Sequence, residues 1–481
     1  MICPTPLFLS LALFSLGDPL TPLDIVASLE TVTTQAIAKA QPSVVAITRM
    51  RGEDPEKTTA IRGLNGARQG QNPRVGLDGN PLSGTPGDFA PPGDFSAGVV
   101  IGERGEILTT YHTLRGAEQI WVRGGKQVFE AEILAADPRS DLAVIAPRVS
   151  PEQPLPTLPA IKIGDATKMK PGTFLVALGN SYNAGRDGRA SAGFGILANT
   201  ARKVHAPQQD EAPVRGQFFR YQPTLLQLDI KLNLGMSGGA VVNMKGELVG
   251  LTTAGASPVG YDVQAGYAIP MDSLGRRIAE TLRQGKEVEY GFLGIGLMEN
   301  VPNGIKTVTP GTPADKADLV VNDVILVIGD RELELEDGLT MALSNIPAGE
   351  TVKLKVLREG RILEKTVLVS KYPVNGPVIA TNRPSAWRGM RVDFTSVLNA
   401  GGQQNLMEAM AKGGVGITEV ETGSPADTSG LKKGVVITEV DGKPILTPAD
   451  FTKAVAAKPD KDVTLTTELG GAPGQKVVVK K

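Results

Sequence analysis

The sequence predicts a mainly β protein. Short strands follow one another from Ser96 to about Pro270, and a supersecondary unit occurs twice in the C-terminal part. The composition agrees, with 57 Gly and 35 Pro but only 4% aromatic residues, as in a strand- and turn-rich chain. A length of 481 residues suggests about three domains.

The first element is an apolar run, "LFLSLALFSLG" (Leu7 to Gly17). It has the length of a signal-peptide core and falls short of the about 20 residues that span a membrane. Residues 1–17 are therefore expected to be a leader cleaved before Asp18, although no basic residue precedes Lys39. An uncleaved anchor or a misplaced start are the other readings. "DIVASLETVTTQAIAKAQPSVVAITRMR" then predicts a helix followed by a strand at Ser43 to Met50. Residues 51–95 are rich in Gly, Pro and charge without apolar periodicity, which predicts a long flexible loop. The segments "SAGVVIG", "GEILTTYH", "QIWVRG", "FEAEILAAD", "DLAVIAP" and "TFLVALGN" come next, separated by turn residues. They fit a barrel or sandwich of antiparallel strands. "MDSLGRRIAETLRQG" predicts a helix that closes this domain, set at residues 18–287.

Beyond it, Gly311, Pro313, Ala314, Asp315 and Leu319 recur at a fixed offset of 112 as Gly423, Pro425, Ala426, Asp427 and Leu431. Two copies indicate two small domains, since a solenoid needs at least three stacked repeats. Their expected bounds are 288–371 and 386–481, joined by a proline-containing linker at 372–385.

Charge excludes some function classes. The formal net charge is −1, so nothing marks a nucleic-acid partner or an anionic membrane surface. One cysteine, Cys3, and two histidines, His112 and His205, form neither a zinc cluster nor a disulfide framework.

Chemistry points to "LNLGMSGGAVV", where Ser237 sits among glycines. A serine hydroxyl attacks only when a base takes its proton, and the base needs a carboxylate to fix its tautomer. His112 ends the strand "GEILTTYH", whereas His205 lies in a polar stretch with no core pattern. Asp141 opens the apolar strand in "DPRSDLAVIAP", a costly place for an unpaired carboxylate, although a strand-start aspartate can also be exposed. The order His112, Asp141, Ser237 is that of chymotrypsin-type proteases.

The ordered segments "SAGVVIGERGEILTTYHTL", "DPRSDLAVI", "VALGNSY", "SAGFGILAN", "LDIKLNLGMSGGAVVNMKGELVGLTTA" and "GYAIP" resemble the HtrA/Deg-type serine proteases from about residue 35 to the end. The resemblance implies a chymotrypsin-like double β-barrel followed by two α+β PDZ domains. It implies Ser237 as nucleophile, His112 as general base and acid, and Asp141 as the orienting residue. The N–H groups of Gly235 and Ser237 would form the oxyanion hole. The chain departs from the family with Leu234 and Met236 in place of a proline and an asparagine, Tyr111 in place of an asparagine, and Ser181 in place of a proline. Met236 cannot pair with a newly cut N-terminus, so no zymogen activation of that kind is expected.

Leu232, Leu251, Thr252 and Thr253 would line the specificity pocket, with cleavage after small or medium aliphatic residues. Lys231 stands six residues before Ser237 and is expected to face solvent; an acidic preference is the alternative. In the first PDZ module the carboxylate-holding loop would be Phe292, Leu293, Gly294 and Ile295. In the second it would be "GMRV", Gly389 to Val392, where Arg391 replaces a glycine.

The expected function is an exported, ATP-independent serine endopeptidase of the periplasm or cell envelope, acting on unfolded or misfolded proteins. Its PDZ domains would recruit peptide C-termini or extended segments, or regulate the protease. No cofactor is implied, and the family resemblance implies a homotrimer. The second reading is a non-proteolytic chaperone or scaffold with an unformed oxyanion hole at Met236.

Overall fold

The computed structural model describes residues 21–50, 95–150, 155–180, 189–202, 224–233, 235–253, 266–333, 338–373, 377–399, 413–468 and 474–481. The expected leader, the loop before Phe95, His205 and Ser181 lie outside these residues.

The chain enters through helix α1, Pro22–Ala40, started by a capping box. The Thr21 hydroxyl accepts from Asp24 N–H, and the Asp24 carboxylate accepts from Thr21 N–H at 2.9 Å. Strand β1 (Val44–Met50) follows, and then β2 (Phe95–Val100), β3 (Ile107–Thr110), β4 (Gln119–Gly124), β5 (Gln127–Asp137) and β6 (Leu142–Pro147). They pair in the order β5-β4-β1-β2-β3-β6, and pairing of β5 with β6 closes the barrel. Strands β7 (Phe174–Gly179), β8 (Ser191–Arg202), β9 (Leu225–Leu228), β10 (Ala240–Asn243), β11 (Leu248–Thr253) and β12 (Gly266–Pro270) form the second closed barrel. All pairings in both are antiparallel, so the alternatives of barrel or sandwich resolve to two barrels.

One apolar cluster joins them. Val44, Val99, Leu108, Leu142 and Val144 of the first barrel meet Val176, Leu178, Val242, Leu248 and Leu251 of the second. Each such buried side chain is worth roughly 1.5–3 kcal/mol, which fixes the barrels against each other and the cleft between them. One-turn helix α2 (Tyr111–Leu114) interrupts the first barrel after β3. Helix α3 (Ser273–Arg283), capped by Asp272, adds Ile278, Ala279 and Leu282 to the inter-barrel core.

Two smaller cores follow, one around Leu293, Ile305, Ile325 and Leu354, the other around Met390, Val415, Ile437 and Leu465. The segment between them is not a plain tether. Its strand Ile379–Ala380 adds to the edge of β5, with Ile379 opposite Ala136 and Ala380 opposite Ala135. Lys371 ties the second core to the first: its ammonium lies 2.9 Å from Glu287, 3.7 Å from Glu289 and 2.7 Å from Asp393.

Candidate active site

Strand register brings the histidine and the aspartate together. Thr110 of β3 lies opposite Leu142 of β6, so the next residues along, Tyr111 and Asp141, face each other where the ladder ends. Tyr111 N–H donates to Asp141 O at 2.8 Å. One residue on, His112 N–H donates to Asp141 Oδ1 at 2.8 Å and His112 Nδ1 lies 2.7 Å from Oδ2. The Asp141 side chain is fully buried and that of His112 is 30% exposed, so the carboxylate is enclosed while the imidazole reaches the cleft. Burying a carboxylate this way is tolerable only because two donors satisfy it.

Asp141 adopts φ 59°, a left-handed conformation uncommon in a non-glycine residue. A second aspartate supports it. Asp137 accepts from Arg139 N–H at 3.3 Å and Ser140 N–H at 3.1 Å, and Tyr290 donates its hydroxyl to the same carboxylate. Burial pushes the Asp137 carboxyl above the usual carboxylate range, and burial beside Asp137 pushes the Tyr290 phenol well up. The Arg139 guanidinium stacks 4.3 Å from the Tyr290 ring and 4.0 Å from the Tyr372 ring. The sequence pattern did not single out these four residues around the aspartate loop. Asp137 and Arg139 stood inside the quoted "DPRSD", but the two tyrosines are remote in sequence.

Ser237 comes from the second barrel. Ala97 N–H of β2 donates to Ser237 O at 2.8 Å. The β2–β3 register, Val99 opposite Leu108, places Ala97 across from Thr110, at the strand end that carries His112. The turn can dock this closely because Gly238 has no side chain: a Cβ there would lie 2.2 Å from Ala97 O and 2.4 Å from Thr109 Oγ1. The turn's other face is held by β11. Gly238 N–H donates to Thr252 O at 2.8 Å, and the Thr252 hydroxyl donates to Met236 O. Met236 N–H donates to Asn233 O at 3.1 Å, and Gly235 has φ 90°. A positive φ of this kind favours glycine.

The residues read as a specificity pocket divide. Leu251 is fully buried in the inter-barrel core, the Thr252 hydroxyl is committed to the turn, and Thr253 is buried. Leu232 is partly buried against the second barrel's cluster, beside Gly266, where a Cβ would lie 3.1 Å from Leu232 Cγ. Lys231 is exposed.

In the first small domain the loop Phe292–Ile295 leads into edge strand Ile295–Leu297, whose only strand partner among the described residues is Ile305–Val308. Gly294 has φ 82°, and a Cβ there would lie 2.3 Å from Thr312 Cβ. In the second domain, Gly389 has φ 80° and the same relation to Ser424. Backbone bonds give the correspondence: Ala314 N–H donates to Leu293 O as Ala426 N–H donates to Arg388 O. The strand registers agree, including a bulge after Gly296 and after Arg391. The loop of the second domain is therefore Trp387-Arg388-Gly389-Met390. The "GMRV" reading is corrected: the glycine is present as Gly389, and Arg391 corresponds to Gly296.

The comparisons agree with this architecture. Residues 96–251 match the trypsin-like peptidase domain family, and residues 291–369 and 416–469 match PDZ domain families. The chain is 26% identical over 491 residues to the periplasmic serine endoprotease DegP of Escherichia coli (strain K12), covering 95% of each chain. It is 29% identical over 379 residues to a probable periplasmic serine endoprotease DegP-like of Pseudomonas fulva, covering 76% of this chain and 74% of the other. Among solved structures, HtrA-type protease AlgW with tripeptide shares the fold at TM-score 0.50 and 23% identity, covering 71% of this chain and 97% of that one. The chain is a serine endopeptidase with a trypsin-like peptidase domain followed by two PDZ domains, and it is similar to the HtrA/Deg-type serine proteases.

Proposed function

We propose that this serine endopeptidase hydrolyses unfolded or misfolded exported proteins through an acyl-enzyme on Ser237, with His112 and Asp141 completing the triad. The observation that carries the reading is the buried Asp141–His112 pair, at 2.7 Å, beside the strand end where the Ser237 turn docks. In this scheme Asp141 holds the proton on His112 Nδ1 and leaves Nε2 to accept the Ser237 proton. Ser237 Oγ attacks the scissile carbonyl, and His112 passes the proton to the leaving amine. Water then attacks the ester, with His112 again as base. The Gly235 and Ser237 N–H groups receive the oxyanion, each worth about 3 kcal/mol of barrier. The positive φ of Gly235 supports an open hole, and so favours the enzyme over the scaffold reading.

The names of the similar proteins support action in the periplasm. The first PDZ domain receives a substrate C-terminus as an added strand along Ile295–Leu297, with the carboxylate at the Gly294 loop. Leu232 shapes the primary pocket for small and medium aliphatic side chains. Ser237→Ala is expected to abolish cleavage of unfolded casein and leave the thermal midpoint unchanged. Undiminished cleavage by this variant refutes the proposal.

A further inference from the structure

We infer that Met236 is the positioning residue of the nucleophile turn, with its thioether fastening the turn to itself. The inference rests on the reading of Gly235 and Ser237 as oxyanion donors. Met236 is 4% exposed, and its side chain joins Leu226, Leu228, Ile230 and Val241 in the second barrel's cluster. It enters over Gly179, where a Cβ would lie 3.1 to 3.2 Å from Met236 Cα, Cβ and Cγ. Asn233 N–H donates to Met236 Sδ at 3.4 Å, while Met236 N–H donates to Asn233 O at 3.1 Å. The two residues thus bond in both directions across the segment that contains Gly235. Met236 O is fixed as well, accepting from Gly239 N–H at 2.9 Å and from the Thr252 hydroxyl.

A sulfur is a weak acceptor, but it is carried here by a side chain that apolar burial anchors. The Met236–Asn233 closure and the Asn233–sulfur bond clamp the two ends of the turn, so losing the sulfur frees Met236, and with it the neighbouring Gly235 and Ser237, to shift. The latch therefore acts on the turn that orients the oxyanion donors, and touches neither substrate nor the reacting atoms.

The test compares wild type, Met236→Leu and Met236→Gln by steady-state cleavage of a peptide substrate, inhibition by a matching peptidyl boronate, and thermal unfolding. Leucine keeps an apolar side chain without an acceptor; glutamine returns an acceptor at similar reach. The expected result for Met236→Leu is a roughly tenfold lower kcat, KM within twofold, boronate affinity reduced in parallel and a thermal midpoint close to wild type. Met236→Gln is expected to recover part of the lost kcat. A Met236→Leu kcat within twofold of wild type overturns the inference, as does a Met236→Gln kcat below that of the leucine variant. Failure of the underlying reading looks different: Ser237→Ala then still cleaves, whatever residue 236 is.

Discussion

The two PDZ domains share a scaffold and differ at the loop that would hold a carboxylate. In the first, only Gly294 of the Phe292–Ile295 loop has positive φ. In the second, Arg388 and Gly389 both do, at 50° and 80°, and Trp387 and Met390 exchange N–H···O bonds of 2.8 and 2.9 Å. Two consecutive positive φ values inside a closed pair make a type I′ hairpin turn. The Met390 N–H is thereby spent on Trp387, whereas no such pair closes Phe292 on Ile295 among the described residues. Arg388 is also occupied, bonded to Val479 O and Lys461 O. Trp387 packs edge-on against Phe451 of the facing helix, with ring centroids 5.7 Å apart. A few dihedral angles thus separate an open loop from a closed one on the same fold.

The sharpest way to break this comparison is to put a side chain on each glycine. Gly294→Val is expected to lower affinity for a fluorescent peptide with a free C-terminus at least tenfold, read by anisotropy in a Ser237→Ala background. The positive φ costs about 1–2 kcal/mol before any clash. Gly389→Val carries the same strain against Ser424 and should leave that affinity unchanged. Equal losses from both variants would show that the second loop also binds.

A smaller effect belongs to the junction of the two domains. Burial pushes the Glu287 and Glu289 carboxyls up, against the opposing pull of Lys371. Burial pulls the Lys371 ammonium down, but its three carboxylates outweigh it and raise it overall. A raised glutamate stabilises the fold fully below its unfolded value and loses that contribution as pH rises through the folded value. Stability should therefore fall as pH rises above the ordinary glutamate value of about 4.3. Glu287→Gln should flatten that dependence in thermal unfolding, and an unaltered slope would contradict the assignment.

The smallest effect should be shared. Asp315 accepts from Gly311 N–H, and Asp427 from Gly423 N–H, each at 2.8 Å. Asp315→Asn and Asp427→Asn should each cost about 1 kcal/mol of domain stability, measured by denaturant unfolding. Unequal losses would show that the repeat is less symmetric than its backbone.

The sequence made this repeat visible but not the register of its loops. The offset of 112 holds from Gly311 to Leu319. It fails at the loop because the second domain has a longer connection between Met390–Phe394 and Val415–Val420 than the first has between Ile295–Leu297 and Ile305–Val308. The His112–Asp141 pair was legible because the proposed triad chemistry demands few residue types and the chain offers only two histidines. The supports were not. Tyr290 reaches Asp137, and the Ile379–Ala380 strand reaches β5, through tertiary packing that no local pattern encodes. Thr252 read as pocket lining because strand alternation leaves open whether its hydroxyl faces a substrate or the turn beside it.

The central claim is that Ser237 is an activated nucleophile. Intact-mass and peptide mapping after treatment with a fluorophosphonate probe tests it most directly. One adduct on Ser237 of the wild-type chain, absent from Ser237→Ala and strongly slowed in His112→Ala, is the predicted result. A folded wild-type chain that takes up no probe, or takes it up at another residue, would contradict it.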